Sequence, residues 1–119
     1  MKDIPRILLV EDDALTGLLL ADLLEAADFL VDGPHRTVAD AMAALAHAFP
    51  DFALLDIHLE GQDSMLVADD LTQYGIDFAF FSGTCPDSAI QRRFGDALFL
   101  AKPLNPAEVI AAVRSRTVH

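Results

Sequence analysis

The chain has 119 residues, 53% of them hydrophobic, with 8 basic against 19 acidic side chains and a formal charge of −11. That length suits one core rather than two, and the composition is that of a globular chain, not a disordered one. The charge repels nucleic acid and anionic membrane and so argues against direct binding to either, while the single cysteine, Cys85, excludes an internal disulfide and suits a reducing compartment.

The first residues lack the long apolar segment of a signal peptide. The richest apolar run, Leu18-Leu19-Leu20-Ala21, is cut by Asp22 and then Glu25, so nothing reads as a bilayer span. A cytoplasmic protein is expected.

Arg6-Ile7-Leu8-Leu9-Val10 is a short unbroken apolar run, the pattern of a strand buried on both faces, and it ends in Glu11-Asp12-Asp13. From Ala14 to Ala27, Leu15, Leu18, Leu19, Leu23 and Ala26 recur at helical spacing, and Leu20 and Leu24 widen the apolar face. Phe29-Leu30-Val31 predicts a second strand, closed by Asp32-Gly33-Pro34. Thr37 is the expected N-cap of a helix from Val38 to Ala48 with Ala41, Leu45 and Ala48 inward.

After Pro50, Phe52-Ala53-Leu54-Leu55 predicts a third strand that runs into Asp56. Asp63 or Ser64 caps a helix from Met65 to about Gln73, which Gly75 ends. Phe78 to Ser82 is the fourth strand, and Asp87 or Ser88 caps a short helix to about Phe94. Leu98 to Ala101 is the fifth strand, followed by Lys102-Pro103; Asn105 caps a last helix with Pro106 at its first position. Neither His35 nor His47 has partners at metal-ligand spacing, and both read as surface residues.

Five strands alternating with five helices predict an α/β fold with a parallel sheet covered on both faces. Ligands in such sheets bind beyond the carboxyl ends of the strands. There the pattern puts Glu11 and Asp12 after the first strand, Asp56 after the third, Ser82 after the fourth and Lys102 after the fifth. Each acid, taken alone, is either a loop-starting cap or a functional carboxylate. Brought together, carboxylates about 4 Å apart repel by roughly 4 kcal/mol per pair at an effective dielectric of about 20, so the cluster calls for a cation. Oxygen-only ligands favour Mg²⁺ or Mn²⁺. A carboxylate beside such an ion, a hydroxyl and an ammonium suits phosphoryl chemistry: Asp56 attacks phosphorus, Lys102 neutralises phosphoryl oxygens and the Ser82 hydroxyl bonds one of them.

In order and spacing, Ile7 to Asp12 with its acid pair, Leu54-Leu55-Asp56, Phe81-Ser82-Gly83 and Lys102-Pro103 resemble the receiver domain of two-component response regulators over essentially the full chain. The resemblance implies a flavodoxin-like (βα)5 fold with strand order 2-1-3-4-5 and phosphorylation of Asp56 from a phosphohistidine. It also implies Mg²⁺ held by Glu11, Asp12, Asp56 and the backbone carbonyl of His58, a cis Lys102-Pro103 bond, and a switch built from Ser82 and Phe99. Partners would be a histidine kinase or histidine phosphotransfer protein and a downstream protein, with the chain a monomer or a phosphorylation-dependent dimer. Residues 1–119 would form a single domain without an output domain, either complete or cut from a longer regulator. By the same analogy, His58 and Thr84 would gate the water that removes the phosphoryl group, and Arg92 and Arg93 would offer charge on the switching surface.

The chain departs from the family at Glu60, where proline is frequent, at Ser64, where glycine is common, at Ser82 for threonine, and at Phe99 for tyrosine. The first two bear on the loop after Asp56. Other classes fit less well. A dehalogenase-type phosphatase wants a second acid two residues after its nucleophile, where this chain has His58. A nucleotide- or flavin-binding domain wants a glycine-rich phosphate loop that is missing. A receiver-like adaptor that is never phosphorylated would differ only in whether Asp56 is modified.

Overall fold

Strands β1 (Arg6–Val10) and β3 (Phe52–Asp56) lie side by side at the centre of the molecule, with Ile7 opposite Phe52 and Val10 opposite Leu55. β2 (Leu30–His35) flanks β1; β6 (Asp77–Ser82) and β7 (Leu98–Ala101) extend the other side, giving one parallel sheet in the order β2-β1-β3-β6-β7. In this computed structural model residues 4–59, 62–83 and 88–117 are described. Two-residue strands β4 (His58–Leu59) and β5 (Gln62–Asp63) pair only with each other. With them set aside, the sheet has the 2-1-3-4-5 order expected. Helices α1 (Ala14–Ala26), α2 (Val38–His47), α3 (Met65–Gln73), α4 (Ser88–Arg93) and α5 (Pro106–Thr117) complete the chain. Sequence expectations for Glu60, Thr84, Cys85 and Asp87 lie outside the described residues.

Successive side chains of a strand point to opposite faces, and two cores follow from that alternation. On one face Leu8, Val10, Ala53, Leu55, Phe78 and Phe80 pack with residues of α2, α3 and α4. On the other, Ile7, Leu9, Phe52, Leu54, Ala79 and Phe81 pack with Leu20, Ala21 and Leu24 of α1 and Val109 and Val113 of α5. Burial on both faces is why these strands read as unbroken apolar runs rather than alternating ones. Each fully buried Leu, Ile or Phe contributes about 1.5–3 kcal/mol.

Helix caps agree with the sequence at two ends: Thr37 accepts the Asp40 N–H at 3.0 Å and Asn105 accepts the Ala107 N–H at 2.9 Å. Asp13, not singled out as a cap, accepts the Thr16 N–H at 2.9 Å. Ser64 precedes α3 but its hydroxyl makes no capping bond; it is buried without a hydrogen-bond partner among the described residues.

The face of α1 differs from expectation. Gly17, Leu20, Ala21 and Leu24 are the buried set, whereas Leu15, Leu18 and Leu19 are 67, 58 and 61% exposed. α1 is apolar nearly all round, so periodicity alone cannot choose its inner face. The choice is made by Gly17, where a Cβ would meet the Pro34 ring at 2.8 Å. β2 also runs further than predicted, through Gly33-Pro34 to His35, because a register irregularity between Leu8 and Val10 lets the strand bend. The Glu11 N–H then donates to the His35 carbonyl at 2.9 Å. His35 is half-buried and paired with Asp32 at 2.8 Å rather than free on the surface. Ala48, expected inward on α2, is its extended C-cap.

Candidate phosphoryl-transfer site

The carboxyl ends of β1, β3, β6 and β7 bring together the residues that the sequence placed there. In-register parallel pairing sets Asp56 opposite Phe81, and Ser82 opposite Ala101, directly before Lys102. Lys102 is held by its backbone, whose N–H donates to the Ser82 carbonyl at 2.9 Å. The Lys102-Pro103 bond is cis, as the resemblance implied.

Lys102 reaches back over the sheet edge. Its Nζ lies 3.1 Å from Asp56 Oδ2 and 3.2 and 3.4 Å from the two Glu11 carboxylate oxygens, and 5.2 Å from the centroid of the Phe81 ring. Asp56 Oδ1 accepts the His58 N–H at 3.2 Å, and Glu11 Oε1 accepts the Asp13 N–H at 3.1 Å. Glu11, Asp56 and Ser82 are buried; Asp12 is half-buried, and the His58 side chain is exposed. Oxygens of Glu11, Asp12 and Asp56 all lie within 4.8 Å of one another.

The electrostatics follow from that crowding. Burial, a hydrogen bond with Asp56 and the Asp56 charge push Glu11 up to about 7, against the opposing pull of the Asp13 N–H and Lys102. Burial alone would lower the Lys102 ammonium, but Asp56 and Glu11 outweigh it and raise Lys102 above its ordinary value. Among the described residues Lys102 pairs with Glu11 and Asp56 while Asp12 lies beside them, so the three acids are short of positive charge. Its all-oxygen donor set and spacing fit a hard divalent ion such as Mg²⁺.

Other expected residues sit elsewhere. The Phe99 ring stacks on Phe80, centroids 5.4 Å apart, in a cluster that includes Phe78 and Phe94. Arg93 is paired with Asp69 and lies over the Phe94 ring, and the Arg92 Nε donates to the Ser88 carbonyl at 3.3 Å, so neither is an idle surface charge. After Asp56, β4 and β5 pair antiparallel, His58 opposite Asp63 and Leu59 opposite Gln62.

Two features were not anticipated. An apolar groove lined by Leu19, Leu20, Leu23, Pro103 and Leu104 begins at Lys102 and adjoins the exposed leucines of α1. Arg36, the first residue after β2, donates from Nε to the Asp12 carbonyl at 3.3 Å across 24 positions of sequence. No motif marks Arg36; the contact exists only because β2 ends against Glu11.

The model of the family described as "Response regulator receiver domain" matches residues 7–114. A transcriptional regulatory protein of Escherichia coli, BaeR, is 29% identical over 96% of the chain; the chain spans about half the length of this curated relative, 48%. Among solved structures, SdrG from Sphingomonas melonis is 35% identical, with 99% of this chain and 100% of that one covered and a TM-score of 0.82. The BeF3-activated N-terminal receiver domain of RstA from Klebsiella pneumoniae is 27% identical over 96% of this chain and 99% of that one, with a TM-score of 0.82. A CheY-like receiver domain protein from Methanospirillum hungatei shares the fold at a TM-score of 0.85 and 21% identity, over 97% of this chain and 94% of that one.

Proposed function

The chain belongs to the response regulator receiver domain family, and we propose that it is a phosphoacceptor in two-component signalling that takes a phosphoryl group on Asp56. The observation that carries this reading is the contact set of one carboxylate. Asp56 is buried at the end of the central strand, held by the His58 N–H on one oxygen and by Lys102 on the other, with Glu11 and Asp12 beside it.

Glu11, Asp12, Asp56 and the His58 carbonyl would hold Mg²⁺, which when bound offsets the negative charge of the cluster and of the phosphoryl oxygens. An Asp56 oxygen attacks phosphorus; the O–P bond forms as the N–P bond to a phosphohistidine breaks, and the electron pair leaves with the imidazole nitrogen. Lys102 shifts from pairing with Asp56 toward a phosphoryl oxygen, and the Ser82 hydroxyl donates to another. The donor is a histidine kinase or histidine phosphotransfer protein. The groove beside Lys102 and the exposed α1 leucines supply an apolar docking face within reach of Asp56. A downstream protein reads the result, and a single cysteine supports a cytoplasmic location. No helix among the described residues is long and apolar enough to cross a membrane.

The test is incubation with Mg²⁺ and a small phosphodonor, read by intact mass and by the modified residue. One phosphoryl group on Asp56, lost in Asp56→Asn and absent without divalent ion, is expected. Labelling that survives in Asp56→Asn would sink the assignment.

A further inference from the structure

Before a donor arrives, Lys102 bonds Glu11 and Asp56. Glu11, Asp12, Asp13 and Asp56 leave the mouth of the site strongly negative, yet what must enter is an anionic phosphoryl group. Arg36 stands at that mouth. Its Nε donates to the Asp12 carbonyl at 3.3 Å. The terminal amino groups of Arg36 have no hydrogen-bond partner among the described residues. Arg36 lines a small cavity together with Asp12, Thr37 and Asp40. Asp12 and Asp40 repel an anion, so Arg36 is the charged group lining that cavity that attracts one.

We infer that Arg36 is a donor-recognition residue: its guanidinium takes a phosphoryl oxygen of the incoming donor at the rim, while Nε keeps it docked on the loop that carries Asp12. The inference rests on the phosphoacceptor reading. The geometry suits guanidinium, whose planar fork can use one edge for a carbonyl and another for phosphate oxygens. The interaction is made with the phosphoryl group, whatever carries it.

The experiment is the initial rate of Asp56 phosphorylation against acetyl phosphate and against phosphoramidate, two donors that share only the phosphoryl group, in the full chain and in Arg36→Ala and Arg36→Lys. Arg36→Ala should raise the half-saturating concentration of both donors about tenfold, the order expected for one charge-assisted hydrogen bond. The rate at saturating donor should fall far less, and Arg36→Lys should recover part of the loss. Mg²⁺ should bind Arg36→Ala a few-fold more tightly, because a cation has left the neighbourhood. An unchanged half-saturating concentration, or a change with only one donor, overturns the inference. So does weaker Mg²⁺ binding together with a lower melting midpoint, which would make Arg36 a brace for the Asp12 loop and nothing more. If the unaltered chain takes no phosphoryl group from either donor, the phosphoacceptor reading itself fails and this inference falls with it. Labelling of Asp56 with Arg36→Ala indistinguishable sinks the inference alone.

Discussion

The Phe99 ring stacks on the Phe80 ring with centroids 5.4 Å apart and an interplanar angle of 24°. Phe80 is fully buried and also meets Phe94, the residue after α4, edge-on at 5.5 Å. Phe99 therefore connects the edge strand to α4 by packing alone, without the hydroxyl that tyrosine would bring. Phe99→Ala should destabilise the fold by about 2 kcal/mol, less than a fully buried Phe because this ring is half-buried. It should leave Asp56 labelling intact and weaken phosphorylation-dependent partner binding or dimerisation. Denaturant melts paired with labelling check both halves; loss of labelling in a folded variant would contradict a purely packing role.

Lys102 answers two carboxylates at once, and removing it leaves them without a cation. Lys102→Met should lower stability near neutral pH by about 2 kcal/mol, below the usual cost of breaking a fully buried pair because the ammonium is partly exposed. Added Mg²⁺ should restore most of that loss and bind no more weakly than in the unaltered chain. A stability deficit that Mg²⁺ does not reduce would show that Lys102 acts through packing on Phe81 instead.

Glu11 gives a pH dependence whose sign is fixed. Its value in the fold, about 7, lies above the ordinary 4.5. Its contribution to the stability of the metal-free protein is thus fully present below pH 4.5 and is lost as pH rises through about 7, an effect on the order of 3 kcal/mol at most. Glu11→Gln should flatten that dependence. Protons and Mg²⁺ compete for the same carboxylate, so Mg²⁺ affinity should rise about tenfold from pH 6 to pH 8 and level off above. Isothermal titration across that range is the check, and an affinity flat with pH would exclude proton competition at Glu11.

Two glycines are held by close approach. At Gly17 a Cβ would lie 2.8 and 2.9 Å from the Pro34 ring, a rigid neighbour; at Gly33, with φ +127°, it would lie 2.5 Å from the Leu9 carbonyl oxygen. Gly17→Ala should cost about 1–3 kcal/mol by overpacking. Gly33→Ala should cost more, since backbone strain adds to the clash. Thermal melts rank the two; the reverse order would mean that α1 cannot shift while β2 can.

The sequence by itself determined the sheet, its order through the resemblance, and the convergence of Glu11, Asp12, Asp56, Ser82 and Lys102. Apolar runs mark strands covered on both faces, and parallel strands with similar crossovers deliver every carboxyl end to one edge, so residues 91 positions apart, such as Glu11 and Lys102, meet without any local signal. Tertiary structure alone decided the inner face of α1, where Leu15, Leu18 and Leu19 were as apolar as Leu20 and Leu24 and only the seat of Gly17 on Pro34 separates them. It also decided the length of β2, the pairing of β4 with β5, and the reach of Arg36 to Asp12. Each of these depends on which backbone group finds a partner once strands are side by side, and a carbonyl's partner across 24 residues leaves no period or spacing in the chain to be read.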